Sequence, residues 1–162
     1  MSFRRFLLLK SLLLLFWVNS IVCQTPACNN CCHNYEEINE PRRSKKSVWQ
    51  PGETPLCDRS ISSGWYRFTS FNGTKIPEGV VPEYRCGTHS PIWLNDRHPT
   101  KAEGNVACKA CINSFGLNAG CFRSFNINIT NCGNYFVYYL RPLGFCAVAY
   151  CAGKKMLMTI CR

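Results

Sequence analysis

A chain of 162 residues carrying 13 cysteines, with 19 lysines and arginines against 9 aspartates and glutamates, has the length of one domain and the cysteine density of a disulfide scaffold. That usage belongs to an oxidising compartment. With nine carboxylates, three histidines (His33, His89, His98) and no recognisable motif around a nucleophile, the composition argues against a hydrolase or paired-carboxylate enzyme, and no cofactor or metal is expected.

The opening stretch, MSFRRFLLLKSLLLLFWVNSIVC, joins a positive start (Arg4, Arg5, Lys10) to an apolar run over Leu12–Val18. The run is short of the ~20 residues a bilayer span needs, so residues 1–23 read as a secretory signal peptide. Cleavage after Ser20 or Cys23 fits the pattern. Cleavage after Cys23 leaves 12 cysteines, an even set that can all pair, and starts the mature chain at Gln24. The leader takes three positive charges with it, so the formal charge falls from +10 to +7. Attraction to acidic glycans or membrane surfaces stays physically open, while no membrane span and no nucleic-acid partner are expected. The product is expected to be secreted and extracellular.

Residues 24–56 are polar and proline-bearing, and read as an irregular arm pinned by Cys28, Cys31 and Cys32. Cys28, Cys31, Cys32 and His33 have the spacing of a metal knuckle, but no second ligand pair follows and the secretory route favours oxidation. The basic run Arg42, Arg43, Lys45, Lys46 reads as a solvated loop.

From Cys57 to residue 152 the chain turns aromatic and β-prone, and this stretch is taken as the domain body. In GWYRFTSFNGTKIP, the pair Asn72-Gly73 between β-prone runs predicts a hairpin with a tight turn. Segments 83–87, 91–95 and 145–151 are weaker strand candidates, and residues 105–119 suggest one short helix or a loop. Phe125, Ile127 and Ile129 alternate with Asn126, Asn128 and Thr130, a period of two that gives one apolar and one polar strand face. The turn NCGN and the strand YFVYYL complete a second hairpin. Residues 153–162 form a tail pinned by Cys161. The expected fold is a small β-rich single domain, mostly antiparallel with a minor helix, stapled by disulfides. Trp65, Tyr66, Phe68, Trp93, Phe136 and Tyr138 are its candidate core; an aromatic sugar-binding patch is the sharper alternative for Trp93.

Two sequons, Asn72-Gly73-Thr74 and Asn128-Ile129-Thr130, mark candidate N-glycosylation sites, the first in a predicted turn and the second on a polar strand face. Cys108-Lys109-Ala110-Cys111 has redox spacing, but no βαβ unit surrounds it, which favours structural disulfides.

The succession CDRSISSGWYRF, EYRCGTHSPIWLNDRHPT, KAC, NYFVYYL and CAVAYC resembles the eight-cysteine domain shared by uromodulin and the pancreatic secretory granule major glycoprotein. The resemblance runs from about Cys32 to Cys151. It implies pairing of Cys32 with Cys132, Cys57 with Cys146, Cys86 with Cys151 and Cys111 with Cys121. A further uromodulin bond would fall on Val80 and Gly120, both of its cysteines being absent here. Cys28, Cys31, Cys108 and Cys161 lie outside the eight and are expected to pair among themselves. The family's glycosylation sites fall in the WLN segment, where Arg97 replaces the sequon's hydroxyl residue, and at Tyr139.

The 162 residues include neither a zona pellucida module nor epidermal-growth-factor-like repeats. The resemblance implies a non-enzymatic extracellular recognition or defence module that binds a protein or glycan partner. A structural matrix or mucus component is the alternative reading. A cationic cysteine-rich toxin or antimicrobial protein is a third, weakened by size and by the lack of an amphipathic basic helix.

Overall fold

A computed structural model describes residues 26–153, apart from residues 115 and 117–119. The leader at 1–23 and the tail with Cys161 lie outside the described residues.

Seven strands form one curled sheet: β1 (Glu36–Ile38), β2 (Gly64–Phe68), β3 (Ser90–Leu94), β4 (Asn105–Ile112), β5 (Arg123–Asn131), β6 (Phe136–Leu140) and β7 (Val148–Tyr150). Their order in the sheet is β1-β2-β6-β5-β4-β3-β7. The four inner pairings are antiparallel, whereas the edge strands β1 and β7 run parallel to β2 and β3. Among the described residues, the helical content is confined to single 3-10 turns at Pro41–Arg43, Asp58–Ser60 and Lys101–Glu103. The β-rich, mostly antiparallel class expected from the sequence is the class observed.

The period-two pattern of β5 decides the main core. Ile127 and Ile129 point inward with Cys108, Ala110 and Ile112 of β4, Tyr66 and Phe68 of β2, Tyr138 and Leu140 of β6, and Ile92 and Leu94 of β3. Alternation puts neighbouring residues on the opposite face, and there Trp93, Cys86, Cys111, Cys151 and Val81 make a second, smaller cluster. β3 is buried along its whole length because both faces are covered. Phe136 and Trp93 are buried as expected; Trp65 is only half-buried, edge-on to Tyr139 at 5.6 Å on the outer face.

Three expectations are corrected. Residues 105–112 are a strand, not a helix or loop, because Cys108, Ala110 and Ile112 bury every second side chain while β5 pairs with the whole segment. The Asn72-Gly73 hairpin does not form. β2 instead pairs with β1 and β6, and the Gly73 N–H donates to the Ser70 carbonyl at 3.1 Å in a local turn. Glycine is needed there for room: a Cβ on Gly73 would stand 2.5 Å from the Gly153 carbonyl oxygen. Segment 83–87 is a turn carrying Tyr84, Cys86 and Gly87 in the left-handed region, which a strand cannot hold.

The arm is stitched to the body, not laid beside it. Besides β1, isolated bridges join Ser44 to Ala152 and Val48 to Arg85. Arg43, placed by sequence in a solvated basic run, is buried and forms a two-point ion pair with Asp58, at 2.8 and 2.6 Å. Arg42 goes to Glu40, so only Lys45 and Lys46 of that run are left outside ion pairs among the described residues.

Candidate functional site

The cysteines define where surface features can lie. The structure joins Cys32 to Cys132, Cys57 to Cys146, Cys86 to Cys151, Cys111 to Cys121 and Cys28 to Cys31. The first three span 100, 89 and 65 residues, the separations at which a bridge removes most freedom from the unfolded chain, ~2–4 kcal/mol each. The thiols of the Cys28–His33 cluster are thereby consumed as disulfides, and His33 is exposed.

With Cys28 bonded to Cys31, the partner left for Cys108 among the four additional cysteines is Cys161, which lies outside the described residues. Among the described residues Cys108 carries the free thiol, buried to 2% exposure in the main core with its sulfur 3.7 Å from the Arg97 carbonyl. Three residues apart on a strand, Cys108 and Cys111 face opposite sides of the sheet, which separates them into the two core clusters and rules out a bond between them. Burial pushes the Cys108 thiol up to about 11, so it is a poor nucleophile.

Val80 and Gly120, where the resemblance implies the further uromodulin disulfide would fall, are neighbours. A Cβ built on Gly120 would lie 2.6 Å from Val80 Cγ1.

The WLNDRHP segment supplies the densest group of titratable side chains. His98 is buried, with Nδ1 hydrogen-bonded to Glu78 Oε1 and Nε2 2.9 Å from the Tyr138 hydroxyl. That hydroxyl also accepts the Ile76 N–H at 3.2 Å. The consistent assignment is a neutral imidazole: Nδ1–H donates to the carboxylate and Nε2 accepts from the tyrosine. Burial pushes the His98 imidazole below its usual range despite the pull of Glu78. Burial opposes ionisation of Glu78, but hydrogen bonds from the His98 ring and N–H, together with the Lys75 charge, hold its carboxyl at about 2.

The trio has the chemistry of an acid–base relay and none of the access. Tyr138 is fully buried, so no substrate atom can reach its hydroxyl. Arg97 forms an ion pair with Glu103, the residue that also caps the turn at Thr100. His89 packs edge-on against Trp49 at 4.3 Å. His89 also lines a cleft with Ser90 and Ser114, whose hydroxyls hydrogen-bond each other at 2.8 Å. Trp93 donates from Nε1 to the Gly120 carbonyl at 2.8 Å and is buried, which removes it as a sugar-binding platform.

The two sequons differ in setting. Asn72 is exposed in the Ser70–Gly73 turn. Asn128 stands on the outer face of β5, as the alternation implied, but is only 6% exposed and donates to Asn105 Oδ1 at 3.1 Å. In register it faces Tyr139 of β6, which in turn faces Trp65 of β2. Sequence patterning gives the face of Asn128; its covering depends on Asn105 and on Tyr139, residues a local reading does not connect to it.

The pattern of the uromodulin-like eight-cysteine domain matches residues 66–152. The chain is 36% identical over 132 residues to "Pancreatic secretory granule membrane major glycoprotein GP2" of Canis lupus familiaris, covering 81% of this chain and 25% of that protein. It is 37% identical over 139 residues to the Rattus norvegicus counterpart, with 83% and 25% covered. It is 34% identical over 143 residues to "Uromodulin" of Mus musculus, with 88% and 20% covered. The chain spans a quarter or less of the length of these relatives.

Proposed function

This chain belongs to the family of uromodulin-like eight-cysteine domains; from that premise we propose that it is an extracellular, non-enzymatic module, a secreted glycoprotein of recognition or defence engaging a protein or glycan partner through its surface and its own N-linked sugars. The observation that carries this reading is the register between Asn128 and Tyr139. The resemblance implies that the family's second glycosylation position falls at Tyr139, and directly opposed residues share a sheet face. On that reading the sequon at Asn128 lies one strand over, ~4.8 Å, on the same face. N-glycosylation replaces one of two amide hydrogens, so a glycosylated Asn128 keeps one for Asn105. Asn72 adds a second, fully open position. Secretion through a leader over residues 1–23, with Gln24 as the mature N-terminus, is part of the same reading.

The test is adhesion of bacterial cells to the immobilised secreted protein, before and after enzymatic removal of N-glycans and in Asn72→Gln and Asn128→Gln variants. Adhesion that falls with the sugar supports the reading. Adhesion indifferent to sugar, with the protein copurifying in insoluble matrix, would replace it by a structural role.

A further inference from the structure

Between the start of β5 and the turn at 141–145 the sheet leaves a cleft of about 370 Å³, within the range of small-molecule sites. Its walls are Phe125, Leu143 and Phe145, and Tyr150 lies at its base. Phe145 is 38% exposed at the lip. The cleft is pre-formed. Leu143 N–H donates to the Asp58 carbonyl at 3.1 Å, the Tyr150 hydroxyl donates to the Arg141 carbonyl at 3.2 Å, and the Cys57–Cys146 bond anchors the end of the turn.

Two exposed guanidiniums, Arg123 and Arg141, complete the lining. Arg141 spends one N–H on the Asn126 carbonyl at 3.3 Å, and neither arginine is ion-paired among the described residues. No aspartate or glutamate lines the cleft. The carboxylate of Asp58, whose backbone carbonyl holds the Leu143 N–H, is committed to Arg43 and to the Tyr150 N–H. An apolar trough with two uncompensated cations selects a ligand that is apolar at one end and anionic at the other, since an arginine fork pairs with a carboxylate through charge-assisted bonds.

We propose that this cleft binds a single-chain amphipathic carboxylate, its hydrocarbon between Phe125, Leu143 and Phe145 and its carboxylate at Arg123 and Arg141. The volume takes one methylene chain. The site is separate from the glycan-bearing asparagines, and its occupancy does not depend on the adhesion reading above.

The experiment is isothermal titration of the full secreted chain with decanoate below its micellar range, with decanol as the neutral partner of equal length. Arg123→Gln and Arg141→Gln, both at exposed positions, are titrated after near-UV circular dichroism confirms the native fold. One-to-one decanoate binding, weakened about tenfold or more by either substitution and by replacing the carboxylate with the alcohol, is the expected result. Photocrosslinking of the wild-type chain with a diazirine-bearing decanoate, expected on the peptide containing residues 141–150, reads the site without any substitution. Absence of decanoate binding, binding indifferent to both arginines, decanol as tight as decanoate, or crosslinks confined elsewhere would overturn the proposal. An acidic apolar peptide binding where decanoate does not would overturn it in favour of a protein partner.

Discussion

Arg43 and Asp58 face each other through two hydrogen bonds, and together they also grip both backbone groups of Tyr150: Asp58 accepts its N–H at 2.8 Å and Arg43 donates to its carbonyl at 3.0 Å. The pair thus ties the N-terminal arm, the turn after Cys57 and β7 at one buried point. Removing one partner strands a buried charge, a loss of about 3–5 kcal/mol. Asp58→Asn and Arg43→Met should each lower the unfolding free energy from urea titration by that order, seen as a fall in the midpoint. A double-mutant cycle should return a coupling well above the ~0.5 kcal/mol expected of independent sites.

Val80 and Gly120 should accept the further bond that the resemblance to uromodulin implies at these two positions. Val80→Cys combined with Gly120→Cys is expected to oxidise spontaneously during secretion, seen as a linked peptide pair in unreduced digests. The gain should fall below the ~2–4 kcal/mol of an unstrained bridge. Gly120 has φ +65°, and a side chain there costs ~1–2 kcal/mol. Gly120→Ala alone should destabilise, because its methyl meets Val80 with no bond to compensate.

The Cys108 thiol should be silent in the native protein and visible in the unfolded one. Iodoacetamide at pH 8 is expected to leave it unmodified under native conditions, since it is buried and its pKa lies at about 11. Modification should follow unfolding in urea without reductant. A thiol that stays blocked after unfolding would instead mean a bond to Cys161, as the cysteine count in the sequence suggests.

The Glu78–His98–Tyr138 relay should make the fold acid-sensitive in two steps. Below the ordinary histidine pKa of 6.5 the unfolded chain takes a proton that the native, buried His98 refuses, so stability falls as pH drops through that value. Glu78 is held at about 2 against an ordinary 4.5, so its contribution is complete above 4.5 and is lost as pH falls from there towards 2. Urea midpoints measured from pH 8 to pH 3 should decline along both steps. His98→Gln should flatten the first and Glu78→Gln the second; a midpoint constant between pH 7.5 and 5.5 in the wild type would contradict the neutral-imidazole assignment.

Glycan mapping should find Asn72 the more fully occupied of the two sequons. Its turn is open, whereas the Asn128 amide is 6% exposed and engaged with Asn105. Quantitative glycopeptide mass spectrometry of the secreted chain reads both sites at once, and equal occupancy would mean that the outer face near Tyr139 opens further than the structure has it.

Legibility in the sequence followed the range of the interactions involved. β5 and β6 were readable because Phe125 to Thr130 alternate strictly and YFVYYL is aromatic throughout. β4 was not, because NVACKACI buries small residues (Cys108, Ala110) that carry no strand signal, alanine favouring helix. Asn72-Gly73 misled for a different reason: the glycine answers to the backbone of Ala152 and Gly153, about eighty residues along the chain. Arg43 looked solvated among Arg42, Lys45 and Lys46, since its partner is not in the run. β1 and β7 are three residues each, too short for any period to show.

The Cys32–Cys132 bridge has a mechanical consequence for a molecule that works outside the cell. Tension applied between Pro26 and Gly153 is carried from residue 26 to Cys32, across the bond, and from Cys132 to residue 153. That route is roughly 27 residues long, so the two ends can separate by only about 90–100 Å while the bond holds. Everything between the two cysteines hangs off the load path, Asn72, Asn128 and most of the sheet with them. Flow or adhesion that pulled on the ends would lengthen that short route, β6 and β7 with it, and leave the segment between the two cysteines, with both sequons, unextended.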